Sequence, residues 1–478
     1  MTKKALVVVL GELARSPRMQ YHCISLANNN YQVTVIANDG EKACEGLESN
    51  RNITKSLMPE APDFKRYLPQ LFALMMKLLW QGFLLLYHLS IISSVDIILV
   101  QNPPSIPTLP ILCFYCKVFG TKLIIDWHNY GYSILGLKLG PSHPLVRIFK
   151  WAEMTFGRWA DAGFCVSEAM LKDLVKTFKI TYPMYVLYDK PPKHFKPLSL
   201  REKHNFYRKI GKQIPEFRSL WEDCSDKEPH LASRHDTRFT MAFPNEKNAV
   251  VLQPKRPAII MSSTSWTEDE DFGLLLGALK RYDLLLSDQL RRQDFDASDT
   301  TNRLPRLVCV ITGKGPLKEY YEAKIKELRF SYLEVTLPWL SALDYAKMVA
   351  SCDIGVSLHS SSSGLDLPMK IVDMFGCGIP VLAYKFPAIN ELVIEDFYGL
   401  TFDGSDDLFT KLVLLLQDFY TEDTCSRYEV EKSSLGRYKK NIKRRFLLSR
   451  WEDNWNREAK PVFDRLQLAS KITSNRYH

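Results

Sequence analysis

Residues 5–27, ALVVVLGELARSPRMQYHCISLA, decide how the rest of the chain is read. Ala5 to Leu10 is an apolar run far too short for a signal peptide and reads as a strand buried on both faces. Gly11 to Ser16 makes a loop, and Pro17 falls in the first turn of a helix, where no backbone N–H is needed. A buried strand handing over to a helix within a few residues opens a parallel β–α–β unit. YQVTVIAN (31–38), VDIILVQ (95–101), TKLIID (121–126) and ADAGFCVS (160–167) continue the alternation of strand and helix. This rhythm predicts a doubly wound parallel sheet.

A second run starts at PAIIMSST (257–264) and continues through RLVCVITG (306–313), LEVTLPW (333–339), CDIGVSLH (352–359) and IPVLAYK (379–385). A chain of 478 residues exceeds one ordinary core. The fold class is therefore α/β, with two Rossmann-like doubly wound parallel-sheet domains facing across a cleft. Residues 1–194 are expected to form the first domain, 195–256 a charged linker or insertion, 257–445 the second domain, and 446–478 an amphipathic terminal helix. A polar insert, RRQDFDASDTTNRLPR (291–306), interrupts the second run. Ligands of such sheets bind at the carboxyl ends of the strands.

Composition is that of a globular protein, 46% hydrophobic and 24% charged. The net charge of +9 suits an acidic ligand or an anionic membrane surface, and no basic block with interleaved aromatics points to nucleic acid. Ten cysteines show no disulfide framework. Cys113 and Cys116 form a CxxC without further ligands at metal spacing, so they read as buried thiols in a reducing compartment, and no metal site is legible.

Residues 71–92, LFALMMKLLWQGFLLLYHLSII, are long enough to span a bilayer. Gln70, Lys77, Gln81 and His88 fall on one narrow stripe, and the strand VDIILVQ follows at once. The expectation is a crossover helix lying in a membrane interface, with Leu84, Leu85 and Leu86 among its lipid contacts.

Three stretches carry chemistry. ITGKGPLKEYY (311–321) sets Gly313, Lys314 and Gly315 in a strand-to-helix turn, either an anion site or a plain turn. SSSSGLDLPMKIVDMFGCGIPVLAY (360–384) leads a small-residue loop into a helix start with Lys370, and Asp373 one turn on. Backbone donors there can hold a diphosphate, and the carboxylate can hold ribose hydroxyls. KLIIDWHNYGYSIL (122–135) ends a buried strand in Asp126, Trp127, His128 and Asn129. Turn chemistry accounts for Asp126 and Asn129, but not for His128, Trp127, Tyr130 or Tyr132.

These residues, with GELARSPRMQYH (11–22), LYDKPP (187–192) and SSTSWTEDEDFGLLLGAL (262–279), make the chain resemble nucleotide-sugar glycosyltransferases of GT-B architecture. Among them it looks like the chitobiosyldiphosphodolichol β-mannosyltransferases, over nearly its whole length. The resemblance implies an inverting transfer of mannose from GDP-mannose to dolichol-diphosphate-linked chitobiose. It further implies the cytosolic face of the endoplasmic reticulum membrane and a complex with other lipid-linked oligosaccharide mannosyltransferases. Nothing tightly bound is implied as cofactor, and a divalent cation alongside the donor stays compatible.

Carried over, Ser263, Thr264, Gly313, Lys314, Gly315, Met369, Lys370 and Asp373 would hold the nucleotide sugar. Relatives place an Arg and a Lys where this chain has Ser263, Thr264 and Glu268. Asp126 or His128 would be the base, with Asp126 slightly favoured and Glu12 a distant third. Arg15, Ser16 and Arg18 would receive the lipid diphosphate, and Trp127, Tyr130 and Tyr132 the acceptor sugars. Two alternatives stay open: a catalytically dead paralogue acting as a membrane scaffold, and a retaining transferase of similar fold.

Overall fold

The computed structural model describes residues 3–218, 236–243, 249–293, 304–420 and 433–474. Most of the polar insert at 291–306 and residues 219–235 and 244–248 of the 195–256 stretch lie outside them. The chain divides into two compact units. Unit 1 comprises Met1–Asp189, Ser362–Leu367 and Trp451–His478, and unit 2 comprises Lys190–Ser361 and Pro368–Arg450.

Unit 1 is built on seven strands: β1 (Lys3–Glu12), β2 (Tyr31–Asn38), β3 (Ile53–Met58), β4 (Ile97–Asn102), β5 (Lys122–Trp127), β6 (Ala162–Cys165) and β7 (Met184–Val186). Their order is β3-β2-β1-β4-β5-β6-β7, with every pair parallel. The order reverses between β1 and β4, the switch point at which doubly wound folds open a crevice. As expected from its sequence, β1 is buried on both faces. Leu6 and Val8 pack with Leu85 of helix α3 (Gln70–Ile91) and Leu112 of α4 (Thr108–Phe119). Val7 and Val9 face the other layer, where Leu26 of α1 (Pro17–Asn28) meets Trp455 and Phe463. The terminal stretch is thus two helices, Trp451–Glu458 and Lys460–Ser474, whose apolar sides complete this core.

The helix α3 turns an apolar face outward, as expected, but with a different set of side chains. Leu84, Leu85 and Leu89 are buried, and so is His88, whose Nδ1 lies 2.7 Å from Ser56 Oγ of β3. The side turned outward is apolar: Leu71, Phe72, Met75, Leu79, Phe83, Leu86 and Tyr87 are all exposed. Of the three leucines expected in lipid, only Leu86 faces out, because Leu84 and Leu85 pack into the sheet core; of the polar stripe, His88 meets the sheet edge while Gln70 and Lys77 are exposed.

Unit 2 holds six parallel strands, β10 (Ala258–Ser263), β11 (Leu307–Thr312), β12 (Leu333–Thr336), β13 (Ile354–Ser357), β14 (Val381–Tyr384) and β15 (Gly399–Phe402), ordered β12-β11-β10-β13-β14-β15. Both sheets share one topology. Within residues 195–256 the described part supplies a helix, Leu200–Gly211, and a short hairpin of β8 (Thr240–Phe243) with β9 (Ala249–Leu252). Ser199 and Glu202 close a capping box on that helix, which buries His204, Phe206, Tyr207 and Ile210.

Trp455 is fully buried in unit 1 and stacks on Phe463 at 5.6 Å. Trp455→Ala should cost about 3–5 kcal/mol, since a large cavity is left against rigid strands. Denaturant titration measures it, and a cost under about 1 kcal/mol would show that the terminal helices are dispensable to this core.

Candidate functional site

The carboxyl end of β5 is organised by a buried carboxylate. Asp126 has no exposed surface, and Arg18 at the start of α1 grips it with both prongs: Nε donates to Oδ2 at 2.8 Å and Nη2 to Oδ1 at 2.9 Å. Arg18 Nη1 donates to Asp189 Oδ1 at 2.8 Å and to the Leu187 carbonyl at 2.7 Å. Burial works against the Asp126 charge, yet Arg18 and His128 outweigh it and hold this carboxyl well below the usual carboxylate range. Burial also works against the Arg18 charge, and Asp126 and Asp189 more than offset it. His22 Nε2 lies 3.2 Å from Asp126 Oδ2, while its Nδ1 accepts from Trp455 Nε1 at 3.0 Å. Burial lowers the His22 pKa, which keeps that ring neutral.

His128 is the member of this cluster that reaches the surface. Its Nε2 lies 2.8 Å from Asp126 Oδ2, and its side chain keeps 20% of its surface exposed. Among the described residues nothing bonds to its Nδ1. A neutral ring that donates Nε2–H to Asp126 leaves the Nδ1 lone pair free to take a proton.

The loop that follows is pinned by Glu153 of α6 (Pro144–Phe156), a residue the sequence did not single out. Its carboxylate accepts from Asn102 Nδ2 at 2.6 Å and from the backbone N–H groups of Gly131 and Tyr132 at 3.0 and 3.2 Å. These two residues begin α5 (Gly131–Leu139). Burial pushes the Glu153 pKa up to about 7, against the pull of those three donors.

Several expected roles change here. Asp126 lies behind Arg18 and cannot reach an acceptor hydroxyl, so of the two base candidates His128 is the one placed to accept a proton. Arg18 is buried and four of its five N–H groups are engaged within unit 1, so it is not placed to receive a diphosphate. Arg15 is exposed with its Nε 3.0 Å from Glu12 Oε1, which leaves its Nη groups toward solvent, and Ser16 beside it is partly exposed. Trp127 and Tyr130 are buried, and the Tyr130 hydroxyl donates to Asp173 at 2.7 Å, so neither offers a face to a sugar. Tyr132 alone of the three is half-exposed; it stacks on Tyr130 at 5.5 Å, and the Lys150 ammonium sits 5.2 Å from its ring centre.

In unit 2 the expected nucleotide residues gather at the strand ends around the β10–β13 switch point. Ser263 accepts from the Tyr345 hydroxyl at 3.2 Å. Thr264 Oγ1 donates to Glu270 at 2.6 Å, and the Ser265 N–H donates to the same oxygen at 3.0 Å. Glu270 is buried and also pairs with Lys370. Glu268, the acid read from the sequence, is exposed, and Glu270 two residues on does the clamping; the run of acids in TEDED gave no signal to separate them. Gly313 and Gly315 are required by close packing: a Cβ would lie 1.8 Å from the Thr264 carbonyl oxygen and 1.7 Å from that of Ser265. Lys314 lies 4.0 Å from the centre of the Trp339 ring. Met369, Lys370 and Asp373 stand partly exposed on α12 (Met369–Gly376). Among the described residues no group of three His, Cys, Asp or Glu side chains is arranged to hold a metal ion. Cys113 and Cys116 are free buried thiols, and burial pushes Cys113 up to about 12.

A Glycosyltransferase Family 4 model matches residues 19–188, and a Glycosyl transferases group 1 model matches 288–418. The chitobiosyldiphosphodolichol beta-mannosyltransferase of Homo sapiens is 39% identical over 464 residues, covering 96% of this chain and 92% of that protein. An Arabidopsis thaliana protein described as the UDP-glycosyltransferase TURAN is 37% identical, covering 99% of both chains. Sucrose-phosphate synthase from Thermosynechococcus elongatus superposes with a TM-score of 0.64 at 10% identity, covering 98% of this chain and 100% of that one. The fold is the two-Rossmann GT-B architecture.

The raised pKa of Glu153 has a defined consequence. The unfolded chain loses this proton near 4.5 and the folded chain near 7, so the group favours folding below 4.5, and that contribution is lost as pH rises through 7. Glu153→Gln, neutral throughout, should gain roughly 1–3 kcal/mol relative to wild type between pH 5 and pH 8. Denaturant midpoints of both proteins at the two pH values check this, and their difference cancels the opposing titration of buried His22. A pH-independent difference would show that Glu153 is ionised throughout.

Proposed function

We propose a reaction for this chain from the family to which it belongs, the chitobiosyldiphosphodolichol beta-mannosyltransferases: inverting transfer of mannose from GDP-mannose to a dolichol-diphosphate-linked chitobiose. The observation that carries the mechanism is the 2.8 Å contact between His128 Nε2 and Asp126 Oδ2. As the 4-hydroxyl oxygen of the terminal sugar attacks the anomeric carbon, its proton passes to His128 Nδ1. The bond from that carbon to the GDP oxygen breaks, and GDP leaves with the electron pair. Asp126, held ionised by Arg18, stabilises the imidazolium that forms and fixes the tautomer. In unit 2, Lys314, Lys370 and the start of α12 would meet the diphosphate, and Asp373 the ribose.

His128→Gln keeps the size of the side chain and removes the proton acceptor. Turnover should fall about 10²–10⁴-fold while GDP affinity stays near wild type. Near-normal turnover in a folded variant would place the base elsewhere. The Arabidopsis relative raises a second reading, a UDP-sugar donor. Calorimetry separates the two: GDP should bind far tighter than UDP, and Asp373→Ala should weaken the GDP complex. Equal affinities would leave the donor base open to both.

The same reading places unit 1 on the cytosolic face of the endoplasmic reticulum membrane. Beside the outer face of α3, the adjoining helices expose Phe114, Val118 and Phe119 on α4 and Ile148 and Trp151 on α6. A patch of this kind on a soluble surface marks a lipid or protein contact, and a dolichol-linked acceptor favours lipid. α3 would lie along the surface rather than span it, since Leu84, Leu85 and Leu89 belong to the sheet core. Leu79→Ser, Phe83→Ser and Leu86→Ser together should release the protein from vesicles without lowering its melting temperature, because these side chains are already exposed. Undiminished vesicle binding would move attachment to another surface.

A further inference from the structure

Unit 1 contains a cavity of about 720 Å³. It opens at the carboxyl end of the sheet, between the loop that follows β3, the first half of α3, and α5 with the start of α6. We propose that this cavity seats the diphosphate and first isoprene units of the lipid acceptor, an inference that rests on the reading of the acceptor as a lipid diphosphate.

Its lining has two characters. Lys65, Lys77 and Lys138 contribute three ammonium groups from three separate segments, and among the described residues none of them is in an ion pair. Glu60 and Asp63 also line it, so the cations outnumber the carboxylates three to two. His143 adds a donor: its Nδ1 accepts from the Leu145 N–H at 3.2 Å, which leaves Nε2 to carry the ring hydrogen. Asn38, Gln70 and Gln81 add amide groups, and the apolar part of the wall includes Leu71 and Leu74 from α3 and Leu135 and Leu139 from α5. A polyanion alone would gain nothing from these leucines, and a hydrocarbon alone nothing from the lysines. An isoprenyl diphosphate uses both.

Two further features favour this occupant. Leu71 lines the cavity and is also about half exposed on the outer face of α3, so the apolar wall runs on into the proposed membrane surface. A chain drawn from the bilayer would therefore not have to cross water. The same helix that lines the cavity, α5, starts three residues after His128. Leu135 and Leu139 lie four and eight residues past Gly131, which at about 1.5 Å per residue puts them roughly 6–12 Å along the axis. That spacing suits a disaccharide standing between a bound diphosphate and the base. The expected diphosphate ligand, Arg18, is consumed by Asp126, and these lysines are free to replace it.

Calorimetry with the full-length protein tests the proposal, using farnesyl diphosphate, inorganic diphosphate and farnesol as probes. Farnesyl diphosphate should bind wild type at least tenfold tighter than either fragment. Lys77→Ala with Lys138→Ala should weaken it at least tenfold, and Leu135→Ser should weaken farnesyl diphosphate but not inorganic diphosphate. If the alanine pair melts early, Lys77→Gln with Lys138→Gln takes its place. Unchanged farnesyl diphosphate affinity in the folded pair overturns the assignment, and inorganic diphosphate binding as tightly as farnesyl diphosphate reduces the cavity to an anion site. Mannose transfer to a chitobiosyl-diphosphate lipid by wild type is measured separately. Turnover without the cavity effects refutes the cavity alone, and the cavity effects without turnover refute the reaction alone.

Discussion

The ion pair of Arg18 with Asp126 is the interaction on which unit 1 depends. Two charges taken out of water cost several kcal/mol each unless every donor and lone pair is met. Here Nε and Nη2 of the guanidinium fall on one carboxylate, and the Nη1 nitrogen donates to both Asp189 and the Leu187 carbonyl. The start of α1, the end of β5 and the segment after β7 are thereby fixed to a single point. His128 inherits that rigidity through its 2.8 Å contact with the same carboxylate, and Glu153 fixes the next turn of chain from the other side.

Unit 2 solves a similar problem with the same device. Glu270 is a buried carboxylate beside a strand end, and it gathers Thr264, the Ser265 backbone and Lys370. The loop it shapes is packed so closely against residues 313–315 that only glycine fits at 313 and 315. In each unit, then, a buried acid does the positioning while a more exposed neighbour, His128 or Lys370, is left at the surface.

The sheets were legible because parallel strands buried on both faces leave long apolar runs, and β1 and β10 are such runs. The site was legible in place but not in role. Asp126, Arg18, Trp127 and Tyr130 are polar or aromatic residues at a strand end, a pattern that fits ligand contact and internal scaffolding equally well. Only burial separates the two, and burial here depends on Arg18, more than a hundred residues away in sequence. In α3 the apolar outer face was legible, but which leucines belong to it was not, because the side that packs on the sheet is also apolar and holds Leu84 and Leu85. The helix at Leu200–Gly211 carried a readable capping box in Ser199 and Glu202, hidden by the density of charge around it.

One feature of chain order bears on how the molecule is made. The core of unit 1 is closed by Trp451, Trp455 and Phe463, and Lys190–Ser361 and Pro368–Arg450 of unit 2 are synthesised before those residues. On the ribosome this sheet therefore emerges long before residues 451–463, which cover its α1 face. Until then the apolar surface that Trp455 and Phe463 will occupy is open to other chains. Unit 2 starts later and completes its core with Leu435 and Tyr438, shortly before that. The N-terminal sheet is thus the one that holds an apolar face open longest during synthesis.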